Sequence, residues 1–487
     1  MNAERPNILF VVLDTVRAKN ISAYGHHRET TPFLDRFSEE ATRYRRAYAP
    51  APWTTPSHAS MFTGTYRVTH QTDREMERLT PDLPTLAELL ASDGYHTVGF
   101  SNNAHVSPRF DFDRGFDQFE FNFESYNEPF DRGVSISEIR SHTGSGAFHR
   151  QLLEALRFIR ERDGSLPRTA LNWVYRKASE ADVVSNHDRG AASTAQFVKR
   201  YVQNADSGPF FMYLNYMEAH APYQAPEQYQ YQYVEEPSVT GWGDSQADYF
   251  NGSVPNQERK LEDLKDQYDG CIRYLDAQME NLIGILRANN VLENTIVVIT
   301  SDHGEAFGEH SLYEHKIGVY DELTHVPLWI RHPEGKSKTV QKPVSNRWLF
   351  PTLLELAGVS TPDHAVSTTL TDPASPGFAI ESEGLPYEDV EYGTALSDRF
   401  EEPHLAYVDR EKEQKLIRYD RDGSYELYPI GNESDDVSER FPERIQELSD
   451  RLEDLLRSAN HSTRSDDDDT FEVDERTREH LRELGYR

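Results

Sequence analysis

The run Asn7-Ile8-Leu9-Phe10-Val11-Val12-Leu13 ends abruptly on a carboxylate, Asp14. A stretch without polar alternation cannot keep one face wet, so it predicts a strand covered on both faces, as in a parallel sheet. The pattern returns along the chain. Tyr95 to Ser101 and Pro209 to Tyr216 read as strands, and Thr295 to Thr300 is a β-branched strand closed by Ser301-Asp302-His303-Gly304. Helical signals lie between them. Thr31-Pro32 reads as an N-cap with Pro at the first helical position, followed by Phe33, Leu34, Phe37 and Ala41. Pro84 to Leu90 is helical and Gly94 ends it. Leu261, Leu264, Tyr268, Ile272, Leu275, Met279, Leu282 and Leu286 mark a long amphipathic helix. Alternating strand and helix predict an α/β fold, a large mixed, mostly parallel sheet sandwiched by helices, over residues 1–360.

Past Gly358 the character changes. Residues 361–390 are rich in Thr, Ser, Pro and Asp and read as a linker or long loop. Residues 391–487 read as a C-terminal subdomain. It should hold a small antiparallel sheet, with an Asp422-Gly423 hairpin turn before Tyr425-Glu426-Leu427-Tyr428, and a charged helix from Phe441 to Ser458. An acidic tail, Asp466 to Asp469, precedes a last helix at Thr477 to Leu484. Residues 125–190 show too little periodicity to place.

Charge restricts the partners. Lys plus Arg number 51 and Asp plus Glu 83, a net charge of -32. That balance argues against nucleic acid, whose ligands are basic, and against an anionic bilayer. Of the 51 cations, 11 are Lys and 40 are Arg. Acidic excess with scarce Lys suits a protein held in solution by high salt. No run is apolar enough to span a membrane and no export signal stands out, so the reading is cytoplasmic. The single Cys271 excludes an internal disulfide and sits on the long helix as a packing residue. Nothing in the sequence sets the oligomeric state.

Four segments gather oxygen and nitrogen ligands where strands end. They are Asp14-Thr15, Trp53 to Gly64, Glu218 to Tyr223, and Asp302 to Glu305 continuing to His310, His315 and Lys316. In a parallel sheet such positions converge at one edge. Two carboxylates, an imidazole and a hydroxyl suit a hard or borderline divalent cation. Pro56 fits the first turn of a helix, with Thr54 or Thr55 as its N-cap. A hydroxyl there faces free N–H groups and the positive helix end, which favours an alkoxide and binds an oxyanion.

These residues, in this order, resemble the sulfatase division of the alkaline phosphatase superfamily. Thr54-Thr55-Pro56-Ser57-His58-Ala59-Ser60-Met61-Phe62-Thr63-Gly64 is similar to the family's nucleophile signature, Cys or Ser-x-Pro-Ser-Arg-Ala-Ser-x-x-Thr-Gly. Asn7 to Asp14 resembles its opening strand and metal carboxylate, and Asn294 to Glu305 its later strand and metal pair. His220-Ala221-Pro222-Tyr223 resembles a substrate-binding loop, and Lys316 falls where the family keeps a substrate-contacting Lys. Tyr425 to Tyr428 and Leu484-Gly485-Tyr486 resemble its C-terminal strand and ending.

The departures carry information. Thr54 stands where the formylglycine precursor would be, and His58 where the signature has Arg. Formylglycine is not expected from Thr. The resemblance therefore implies a metal-dependent ester hydrolase with Thr54 as nucleophile. Asp14, Thr54, Asp302 and His303 would hold one Ca²⁺, Mg²⁺ or Mn²⁺, and His220 and Lys316 would assist the leaving group. His58, Arg17, His310 and His315 are candidates to bind an anionic small-molecule or glycan ester. Sulfate, phosphate and phosphonate esters all fit. The alternatives are a phosphotransferase acting on an alcohol acceptor, and a non-catalytic binding protein that kept the fold.

Overall fold

The computed structural model describes residues 5–74, 76–122, 188–204, 208–234, 237, 242, 246–335, 337–385 and 398–459. Its centre is an eight-stranded sheet. In chain order the strands are β1 (Asn7–Leu13), β2 (Thr42–Tyr44), β3 (His96–Ser101), β4 (Gln118–Phe121), β5 (Phe210–Tyr216), β6 (Thr295–Thr300), β7 (Leu328–Arg331) and β8 (Thr339–Val340). Across the sheet they lie β8-β2-β7-β6-β1-β5-β3-β4. The run from β6 to β4 is parallel throughout. β7 is antiparallel to both β6 and β2, which makes the sheet mixed.

β1 shows why its apolar run was needed. Ile8, Phe10 and Val12 enter one hydrophobic cluster while Leu9, Val11 and Leu13 enter another, following the two-residue period of a strand. Helices α2 (Thr54–Thr63), α3 (Leu86–Ser92) and α6 (Leu349–Ala357) cover the first face. The second is covered by α1 (Pro32–Phe37), α4 (Ala191–Asn204) and α5 (Gln257–Ala288). Most members of both clusters are fully buried. Removing one large side chain, such as Phe62→Ala beneath Tyr213, should cost about 3–5 kcal/mol.

Two helix starts differ from the sequence reading. Pro32 is at the first position of α1 and Thr31 is the N-cap residue, but its side chain makes no capping bond. Asp276 of α5 does that work across space, accepting from the N–H groups of Phe33 and Leu34 at 2.9 Å each. α1 stops at Phe37, so Ala41 packs beyond it. α2 begins one residue earlier than a Thr54 cap would put it, and two earlier than a Thr55 cap. Trp53 is its N-cap residue, and Thr54 is already helical.

The C-terminal sheet is antiparallel in sequential order, β9 (Gly377–Ser382), β10 (His404–Asp409), β11 (Gln414–Tyr419) and β12 (Tyr425–Pro429). α7 (Pro442–Ala459) lays Leu448 and Leu452 against Leu405, Leu416 and Leu427. β9 lies inside the segment read as linker. Six buried residues are flanked by Ser, Pro, Thr and Asp, and that flanking composition masked them. Phe378 and Ile380 of β9 join the cluster that holds Phe10 of β1, so this sheet is fastened to the central one. Lys415 adds a buried tie, 2.9 Å from Asp321 and 2.7 Å from Glu433. Most of the weakly periodic stretch and the expected acidic tail and last helix lie outside the described residues. Among the described residues no helix is long and apolar enough to cross a membrane.

Candidate active site

Parallel strands deliver their carboxyl ends to one edge, and the four metal-type residues meet there. Asp14 follows β1, and Asp302 and His303 follow its neighbour β6. Thr54 comes from the N-terminal turn of α2, where aligned N–H groups give a positive field. Nε2 of His303 is 3.2 Å from the Thr54 hydroxyl, 3.4 Å from Oδ2 of Asp302 and 4.0 Å from Oδ1 of Asp14. All four side chains are fully buried.

Local bonds fix the orientation of each group. Nδ1 of His303 lies 2.9 Å from the carbonyl of Gly304, which can only accept, so Nδ1 carries the proton and Nε2 presents a lone pair. Oδ1 of Asp302 accepts from the N–H groups of Thr15 and His303. Oδ2 of Asp14 accepts from Asn103 at 2.6 Å. The remaining oxygens, Oδ1 of Asp14 and Oδ2 of Asp302, are buried with no hydrogen bond.

The electrostatics follow from that geometry. Burial pushes Asp302 up to about 7 against the hydrogen bonds that favour its anion. Burial and the neighbouring Asp302 charge push Asp14 well above the usual carboxylate range. Burial also holds His303 below an ordinary imidazole. Two dry acids with an orphaned oxygen each, a lone pair and a hydroxyl within reach form a donor set that fits a divalent cation. Asp14, Asp302, His303 and Thr54 would hold it.

His58 lies one turn below Thr54. Its Nδ1 bonds the Thr54 carbonyl at 3.0 Å, its ring is packed by Phe62, Phe112 and Tyr213, and burial pushes it down to about 3. It stands 3.5 Å from Oδ2 of Asp302, beneath the site and enclosed. Three imidazoles run outward from the centre. His303 and His315 stack at 4.5 Å, and His315 meets His220 edge-on at 5.0 Å. Burial keeps both His220 and His315 neutral, with neighbouring cationic groups adding to it. Glu305 orients His315 through a 3.0 Å bond to Nδ1, and Tyr223 donates to the other Glu305 oxygen at 2.8 Å. Arg189 donates to the carbonyls of His220 and Ala221 and so holds the His220 loop. Lys316 follows His315 and is half-buried.

The model of the Sulfatase family matches residues 6–359. The chain belongs to the sulfatase family. That match spans the central sheet and all the site residues above. This sulfatase-family protein is 28% identical over 375 residues to YidJ of Escherichia coli, described as an uncharacterized sulfatase, covering 74% of this chain and 69% of that one. It is 23% identical over 472 residues to an arylsulfatase of Clostridium perfringens, covering 91% and 93%. The phosphonate monoester hydrolase of Agrobacterium radiobacter shares its fold, with a TM-score of 0.67 at 19% identity over 94% and 96% of the two chains. A protein solved with its substrate D-glucosamine-2-N,6-O-disulfate also has a TM-score of 0.67, at 17% identity over 96% and 100%. Those likenesses show a shared fold, here a large mixed sheet covered by helices with a separate small antiparallel sheet.

Two candidates from the sequence are placed elsewhere. Arg17 is buried and engaged by Asn20, the Glu305 carbonyl and Glu309, with its guanidinium over Phe307. In this sulfatase-family protein it therefore fastens the loop after His303. His310 is stacked on Tyr320 at 3.7 Å, with Glu322 and Glu433 nearby, in a second group apart from the first. Sequence reasoning missed Asn103, which follows β3 by the same strand-end rule, and although it singled out the segments holding Tyr223 and Glu305 it did not foresee their pairing.

Proposed function

We propose that this protein hydrolyses sulfate, phosphate or phosphonate esters, with Thr54 as the nucleophile. The supporting observation is the Thr54 hydroxyl at the start of α2, 3.2 Å from the His303 lone pair and beside two carboxylates with unbonded oxygens. One Ca²⁺, Mg²⁺ or Mn²⁺ held by Asp14, Thr54, Asp302 and His303 would supply Lewis acidity to the ester oxygen and the hydroxyl. The surrounding carboxylates and lone pair accept the proton of Thr54. Its oxygen forms the new bond to phosphorus or sulfur, and the bond to the departing alcohol breaks in line with it. His220 or Lys316 would assist the departing oxygen, with Lys316 as the proton donor. Water then attacks the phosphorus or sulfur bound to Thr54, and the bond to the Thr54 oxygen breaks, releasing the sulfate, phosphate or phosphonate anion and restoring the hydroxyl.

The identity of Thr54 ranks the substrates. An aldehyde hydrate can expel sulfate by collapsing to the carbonyl, whereas a sulfated Thr has no such exit. A phosphorylated Thr is resolved by water in a metal-assisted site. Phosphate and phosphonate esters are therefore placed ahead of sulfate esters.

The test is a panel of aryl sulfate, phosphate monoester, phosphodiester and phosphonate monoester substrates, run with each divalent ion at low and molar salt. Turnover of at least one class that depends on the added ion is expected. No turnover of any class with any ion sinks the proposal.

A further inference from the structure

A cavity of about 450 Å³ opens on the first face of the central sheet, away from the strand-end acids. Thr42 and Tyr44 of β2 and Ile330 of β7 form its floor, and Leu356 of α6 with Leu370 forms a wall. The floor follows from strand geometry. Thr42 and Tyr44 are two residues apart and share a face, and Ile330 pairs with Thr42. β7 runs antiparallel to β6, so Leu328 pairs with Thr300, beside the ligand edge, and Ile330 pairs with Val298, two residues further from it. The cavity therefore lies outward of β6 and below the edge that carries Asp302. Its volume is in the range of small-molecule sites, roughly 300–1,000 Å³.

One buried polar group of this lining has no partner. Tyr44 is 4% exposed, and its hydroxyl makes no hydrogen bond among the described residues. Burial raises the phenol above its ordinary value, so it stays an O–H donor at neutral pH. The neighbouring Thr352 is closed by contrast, donating to the Trp348 carbonyl and accepting the Leu370 N–H. A buried donor left without an acceptor is costly to keep. The rim adds a cation. Lys338 lies just before β8, held beside β2 because its carbonyl accepts the Arg43 N–H at 2.8 Å. Its ammonium makes no ion pair among the described residues. Glu334 and His332, also on the rim, are engaged with neighbours. In a chain of net charge -32, the segment from Arg331 to Lys342 is locally basic, with Arg331, Lys336, Lys338 and Lys342 against Glu334.

We propose that this cavity binds a small carboxylic acid with an apolar body. The Tyr44 hydroxyl donates to the carboxylate, Lys338 pairs with its charge, and the alkyl or aryl part lies against Ile330, Leu356 and Leu370. A carboxylate has two oxygens and takes both donors at once. A neutral alcohol accepts from Tyr44 but offers no charge to Lys338, and an amine meets Lys338 with like charge. A dianion sets Glu334 against a charge that one ammonium does not offset. Thr54 and the strand-end acids take no part, so the proposal stands or falls apart from the hydrolase reading.

The probe is 4-phenylbutyrate, titrated into the full chain by calorimetry, with 4-phenylbutanol and 4-phenylbutylamine as controls. Saturable binding of the acid is expected, about ten-fold or more tighter than that of the alcohol or the amine. Tyr44→Phe removes only the unbonded hydroxyl. It should weaken the acid about ten-fold while the unfolding midpoint stays level or rises. Lys338→Met should weaken it to a similar degree and remove most of its salt dependence. Thr54→Ala should bind the probe as the wild type does. No saturable binding, equal affinity for acid and alcohol, or an affinity unchanged in either Tyr44→Phe or Lys338→Met overturns the proposal. An affinity that falls in Thr54→Ala and holds in Tyr44→Phe overturns it too, since the probe would then sit at the strand-end acids.

Discussion

The hydroxyl of Thr54 lies 3.2 Å from Nε2 of His303, although 249 residues separate them in sequence. The contact joins the start of a buried helix to the end of a central strand. Replacing Thr54 by Ala removes the attacking oxygen and little else, since α2 is held by Ser57, Met61 and Phe62 rather than by this side chain. Thr54→Ala should lower kcat/KM at least ~10³-fold with an unfolding midpoint within a few degrees of the wild type. Thr54→Ser should keep measurable turnover. Activity surviving in Thr54→Ala would show that another group is the nucleophile.

Burying Asp14 and Asp302 side by side is costly without a divalent ion and would be relieved by one. In a chelator, Asp14→Asn should raise the unfolding midpoint, because an acid destabilised by burial, and further by the Asp302 charge, is gone. With saturating divalent ion the order should reverse. Ligand at about one hundred times its dissociation constant stabilises the native state by about 2.7 kcal/mol, and the variant forgoes most of that. Thermal unfolding of both proteins with and without metal decides it, and a midpoint order that does not invert refutes the ligand assignment of Asp14.

Glu309 sets an acid limit on stability. Burial alone would raise its carboxyl, but Arg17 and Lys265 more than offset this and bring it down to about 2, from an ordinary 4.5. The unfolded chain therefore binds more protons than the native one between those values. The stabilisation is complete above about 4.5 and disappears as pH falls toward 2. Glu309→Gln should be less stable than the wild type by about 2 kcal/mol near neutral pH, and the gap should narrow below pH 4.5. Urea midpoints from pH 6 to pH 3 measure it. A gap independent of pH would assign the loss to packing.

A net charge of -32 opposes an anionic ester at long range, so salt should help capture. The screening length falls from about 10 Å at 0.1 M to about 3 Å at 1 M salt. The rate constant kcat/KM should therefore rise with salt while the folded fraction stays constant, with Lys316 and the start of α2 acting at close quarters. A kcat/KM that does not change across this range, on protein shown folded by circular dichroism, counts against steering by the net charge.

Much of this arrangement was legible in the residues. Near-continuous apolar strands announced a sheet covered twice, and strand-end acids announced its functional edge. Thr54, Asp14, Asp302 and His303 meet where that rule puts them. Contacts across space were not legible. The cap of α1 comes from Asp276, 243 residues from Phe33, and no local pattern reports it. Arg17 resembled a substrate-binding cation because its partner Glu309 lies 292 residues away. Gly377 to Ser382 looked like linker because composition averages over a window longer than the strand itself.

The register of β1 has a consequence for how the protein is made. Asn7 pairs with Thr295 on one side and Ile8 with Phe211 on the other. During synthesis at about 5–20 residues per second, β1 emerges roughly ten seconds or more before its first neighbour and up to about a minute before its second. Its apolar residues have no sheet to join in that interval, and the ligand edge does not exist until β6 arrives. High contact order of this kind slows folding and exposes sticky surface. The register thus ties completion of the ligand edge to the emergence of β6 and the Asp302 that follows it.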